Sequence, residues 1–103
     1  MPDLLTLDEA RALTERAARA DWRPDLGTLH VAEGAYIYGS EWRMIVGARE
    51  AIVDGDQDFA IMDAPVFMVD RSTGHVRVLP WHDDPLLTAS GPVPPLTPAP
   101  QRP

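Results

Sequence analysis

Apolar residues recur at helical spacing over the first twenty positions and at alternating spacing in three later stretches. Leu7, Ala10, Leu13, Ala17 and Ala20 form a narrow stripe of mostly small side chains, which suits a helix lying close against a sheet. Its start is marked by Thr6-Leu7-Asp8-Glu9, where the Thr6 hydroxyl and the Glu9 carboxylate can each satisfy the other's free backbone amide. Leu5 and Ala10 are spaced for a hydrophobic staple, and the helix should stop near Asp21, ahead of Arg23-Pro24. Residues 28–33 alternate, with Leu29 and Val31 on one side; 34–40 either prolong this strand or form its loop. Residues 41–48 predict a second strand with Trp42, Met44 and Val46 on one face.

The clearest signal is the run 65–78. Val66-Phe67-Met68-Val69 is apolar on both faces, Asp70 can bond its own backbone as a turn opens, and Gly74 can supply the positive φ of a tight hairpin. A second strand then alternates Val76 and Val78 against His75 and Arg77. Residues 50–64 mix apolar Ile52, Val53, Phe59, Ile61 and Met62 with the turn-forming cluster 54–58. They predict a connector with a short helical turn, packed by Phe59 and Ile61. The expected fold is α+β: an N-terminal helix packed on a four-stranded, mainly antiparallel sheet. Its expected core is Leu13, Leu29, Val31, Trp42, Met44, Val46, Val66, Met68, Val76 and Val78.

Length and composition narrow this further. The chain has 103 residues, enough for one domain with a modest core. Seven of its 11 prolines fall in the last nineteen residues. The domain should therefore span 1–84, and 85–103 should be a flexible, disordered Pro-rich tail. The Pro-Val-Pro-Pro-Leu-Thr-Pro run in that tail also has the composition of a ligand for a Pro-binding groove. Cysteine is absent, which removes disulfides, thiolate metal sites and Cys nucleophiles. No export-signal pattern and no membrane-length apolar run occurs, so a cytoplasmic protein without a membrane partner is expected.

The net charge is −7, with Arg as the only strong base. Such a surface lacks the phosphate-neutralising term that dominates nucleic-acid binding, so no nucleic-acid partner is expected. It can speed association with a basic protein.

Catalytic and metal motifs are incomplete. Asp54, Asp56 and Asp58 imitate the first ligands of a calcium loop, but Phe59 stands where the sharp turn needs Gly and Pro65 where the closing Glu belongs. A solvated acidic turn is expected instead, with no metal and no cofactor. His30, His75 and His82 are scattered singly, and no Ser lies in a nucleophile elbow. His82 with Asp83 or Asp84 is the remaining acid–base candidate, and the expectation is that the protein is not an enzyme.

With these residues in view, the chain resembles the YrhB-like family of small bacterial proteins, catalogued among the immunity proteins of polymorphic toxin systems. The similarity covers about residues 5–80. It is carried by the Ala-rich helix, by Glu41-Trp42-Arg43-Met44-Ile45-Val46 and by Pro65-Val66-Phe67-Met68-Val69-Asp70-Arg71-Ser72-Thr73-Gly74-His75-Val76. Where the family usually carries Gly-Asn ahead of that proline, Asp63 and Ala64 stand here. The resemblance implies a binding protein, monomeric or homodimeric, that neutralises a cognate toxin by direct contact. The alternative is a chaperone-like or structural adaptor acting through its sheet face or its Pro-rich tail. The residues expected to contact a partner are Tyr36 and Tyr38 as rigid anchors, with Asp54, Asp56 and Asp58 as steering charge.

Overall fold

The computed structural model describes residues 4–61, 64–88 and 93–97. Thr6 caps helix α1 (Leu7–Arg19) as its sequence requires: its hydroxyl accepts from the Glu9 amide at 3.2 Å, and Glu9 accepts from the Thr6 amide at 3.1 Å. Asp8 and Glu9 in the first turn and Arg16 and Arg19 in the last complement the helix dipole. The buried stripe is rotated slightly from the expected one. It runs through Leu7, Ala10, Thr14 and Ala18, while Ala20 is an exposed cap. Thr14 tolerates burial because its hydroxyl donates to the Ala10 carbonyl at 2.8 Å, leaving a methyl group for the core.

Strands β1 (Leu29–Tyr38), β2 (Glu41–Ala48), β3 (Val66–Asp70) and β4 (Val76–Leu79) form one sheet in the order of the chain, every neighbour antiparallel. Between Val31 and Ala35 two extra residues enter β1, so that Ala35 rather than Glu33 stands opposite Met44. Glu33 is thereby kept exposed. Arg11 of α1 reaches this irregularity and donates to the Val31 and Ala32 carbonyls at 2.9 and 3.0 Å, tying helix to sheet.

The core lies between α1 and one sheet face. Leu7, Ala10, Ala18, Val31, Ala35, Trp42, Met44, Phe67 and Val69 are buried there, with Leu13, Leu29, Val46 and Val76 packed around them. β3 is an interior strand, and Val66 and Met68 are buried on its other face as well. Val78 departs from the expected core. It stands opposite Phe67 on the edge strand β4 but is 56% exposed. α1 packs chiefly over β1 and β2 and meets β4 only toward Val76, while a cleft of about 150 Å³ separates Val78 and Phe67 from the C-terminal end of the helix at Ala17 and Ala18.

The connector contains the short helix α2 (Arg49–Ile52) and a 3₁₀ turn at Gln57–Phe59, with Phe59 and Ile61 half-buried; Met62 and Asp63 lie outside the described residues. Residue 70 opens the β3–β4 turn as expected. One Asp70 carboxylate oxygen accepts from the Ser72 and Thr73 amides at 2.7 and 3.0 Å, and Gly74 has φ +79°. The expected disordered tail lies partly outside the described residues. Two of its pieces have definite places: Pro85–Thr88 forms the helical turn α3, and Thr97 exchanges two backbone hydrogen bonds with Ala35 of β1. Gly34 permits this approach, since a Cβ there would lie 3.0 Å from the Thr97 carbonyl oxygen.

Candidate interaction surface

Strand alternation sends every second residue of the sheet away from α1, and the register aligns these into rows. One row is Tyr36, Arg43, Met68 and Arg77; the next is Tyr38, Glu41 and Asp70. Both lie near the end of the sheet where the β1–β2 and β3–β4 turns meet. Arg77 reaches across β3 and grips Glu41 through two hydrogen bonds, at 2.8 and 2.9 Å. The bond and the charge of Glu41 raise the Arg77 pKa above its already high ordinary value. Asp70, at the same end, is held below the usual carboxylate value, first by the Thr73 amide and then by that of Ser72. Tyr36 and Tyr38 are half-buried beside this fixed polar framework.

The turn end is rigid for reasons on the helix side as well. Trp42 donates its indole N–H to the Leu5 carbonyl at 3.2 Å, and the Arg71 guanidinium lies over the Trp42 ring at 5.4 Å. The Arg71 carbonyl accepts from the Leu5 amide at 2.6 Å, and its amide donates to Ser40. The two turns and the chain ahead of α1 are thus joined around one indole.

The three aspartates are elsewhere. Leu29 stands opposite Ala48 and Tyr38 opposite Glu41, so the connector that follows Ala48 leaves from the other end of the sheet. The strand rise puts the tyrosines roughly 17–23 Å from the start of the connector. Tyr36 and Tyr38 therefore do not adjoin Asp54, Asp56 and Asp58, contrary to the single patch expected of them. The aspartates are also exposed and partly occupied: Asp54 lies 4.0 Å from Arg49, and Asp56 accepts from the Asp58 amide at 3.0 Å as the cap of the 3₁₀ turn. Among the described residues no three His, Cys, Asp or Glu side chains converge as metal ligands. Nearby Glu50 accepts from the Thr28 amide at 2.9 Å, and that bond is the leading cause of its lowered pKa.

Asp84, paired in the sequence with His82 as an acid–base candidate, has another role. It is buried, and its carboxylate accepts from Nε of Arg43 at 3.1 Å, from Nη2 of the same guanidinium and from the Leu86 amide at 3.0 Å. Arg43 spends its remaining reach on the Met44 carbonyl at 3.1 Å. His82 instead sets its ring edge-on to Trp81, with centroids 5.6 Å apart.

These pairs were missed in the sequence. Glu41, Arg43 and Arg77 share the outward phase of their strands, which is the signal that could have linked them. The 41-residue separation of Arg43 from Asp84 leaves no comparable local trace.

No helix among the described residues is long and apolar enough to cross a membrane. No protein-family model matches the chain, and neither curated proteins nor solved structures give a match.

Proposed function

We propose that this is a non-enzymatic binding protein of the bacterial cytoplasm, an immunity protein that neutralises a cognate toxin by covering its active site. The observation that carries the reading is the outward row of Tyr36 and Tyr38 beside the Glu41–Arg77 pair. α1 packs on the other sheet face, so these rings belong to a face the helix does not cover. Half-buried tyrosines in a fixed polar frame have the chemistry of interface anchors, because they offer large contact area at little entropy cost. The sequence resemblance supplies the toxin as partner. Engagement of Asp84 by Arg43 supports a role without catalysis, since it occupies one of the two carboxylates that the sequence sets beside His82.

The test is growth. A toxin domain encoded beside this chain is expressed in cells with and without it, and growth should return only when the chain is present. Tyr36→Ala and Tyr38→Ala should each weaken the complex by about 1–2 kcal/mol, mainly through faster dissociation, while leaving the fold intact. Growth arrest that the intact chain does not relieve would sink the toxin reading.

A further inference from the structure

The chain leaves β4 at Leu79 and crosses the outer face on a short arm. Trp81–Asp83 make one 3₁₀ turn, and α3 follows at Pro85–Thr88. Asp84 joins this arm to the sheet. Its carboxylate takes Arg43 of β2, while its own carbonyl accepts from the Leu87 and Thr88 amides at 2.9 and 3.0 Å. Sheet anchor and helix cap are therefore the same residue.

Packing away from that anchor is poor. Trp81 is 49% exposed and Leu87 64% exposed, leaving Pro85 and Leu86 as the half-buried apolar residues of α3. Between the arm and Ile45, Ala64, Pro65 and Val66 lies a cleft of about 340 Å³. Such a gap forfeits the dispersion contacts that close packing would supply. Ordering nine residues costs conformational entropy, which one anchor and these two apolar residues offset only narrowly. A buried ion pair adds little net stability, since desolvation cancels most of its attraction, yet it fixes one geometry. Together these features describe a segment with a docked and a lifted position close in free energy.

We propose that residues 80–88 are a displaceable strap that, when docked, lies across the partner-binding face beside Ile45 and Val66 and forms one wall of this cleft. Ile45 and Val66 follow Arg43 and Met68 along the same face, so lifting the strap extends the Tyr36 surface with apolar area. Lifting also strips Arg43 of its carboxylate. Whatever replaces the strap must return one, so the partner segment presents an Asp or Glu next to an apolar residue, as Asp84 and Leu86 do now. This rests on the reading of the outer face as the toxin site.

Hydrogen exchange on the full chain tests the strap without a partner. The Leu86, Leu87 and Thr88 amides should exchange about a hundredfold faster than those of the central Trp42–Val69 pair. Asp84→Asn should speed the three by about a further tenfold, leave the central pair unchanged and raise the fluorescence of the apolar dye anilinonaphthalene sulfonate. Strap amides that exchange together with the central pair, or an Asp84→Asn variant losing protection throughout the sheet, would show the arm to be part of the core and overturn the proposal. In the growth assay the same variant should relieve arrest at lower expression than the native chain; a higher requirement would refute the covering role. Failure of any rescue would count against the toxin alone, because the exchange result is read separately.

Discussion

A carboxylate taken out of water needs donors for its oxygens, and Asp84 has them in the Arg43 guanidinium and the Leu86 amide. Burial pushes its pKa up, but the Arg43 bond, the Leu86 amide and the charge of Arg43 outweigh it, and the net shift is downward. Asp70 and Glu50 are lowered too, through amide hydrogen bonds. A carboxylate with a depressed folded pKa binds its proton less readily folded than unfolded. Its contribution to stability is therefore complete above the unfolded pKa and is lost as pH falls through the folded one. The midpoint of thermal unfolding should begin to drop near pH ~5, where unfolded carboxylates start to protonate, and keep dropping below it. A midpoint unchanged on further acidification would contradict the three shifts. Of these residues Asp70 was legible beforehand, because its bonds reach only two and three positions along the chain. Asp84 was not, because its role depends on a strand that lies 41 positions away.

Among the elements, α1 shows how much local chemistry can specify. The capping box, the acidic first turn and the basic last turn are written between Thr6 and Arg19, and each interaction joins neighbours in the chain. Thr6→Ala should lower stability by about 1 kcal/mol, read from chemical denaturation, with the sheet unaffected. A loss indistinguishable from zero would mean that packing alone positions the start of the helix. The run 66–69 was readable as a strand apolar on both faces, but only Val66 and Met68 were expected in the core, whereas Phe67 and Val69 are the pair that faces α1 and all four are buried. Val78 misled because alternation gives the face of a side chain but not whether anything covers it. It points to the helix side, where a cleft separates it from the C-terminal end of α1. The rotation of the α1 stripe toward Thr14 has a similar origin: a threonine that bonds its own helix backbone behaves as a small apolar residue, which a hydropathy pattern counts as polar.

At the scale of the whole molecule, charge acts through a field, so the acidic connector can influence association while starting roughly 17–23 Å from the tyrosines. Replacing Asp54, Asp56 and Asp58 together with Asn should slow association with a basic toxin and flatten its salt dependence, while the dissociation rate stays as it was. A changed dissociation rate would place the aspartates inside the contact rather than at a distance from it. The sequence by itself determined the α+β architecture, the helix start, and the hairpin and its turn. All of these follow from periodicity and from interactions between residues close along the chain. Only the tertiary structure decided that the tyrosines and aspartates lie at opposite ends of the sheet, that Arg77 spans β3 to Glu41, and that Asp84 pins the C-terminal arm to Arg43. Those contacts exist only after the strands have paired in register. Their partners are distant in the chain, and the geometry that joins them is set by which face each strand presents.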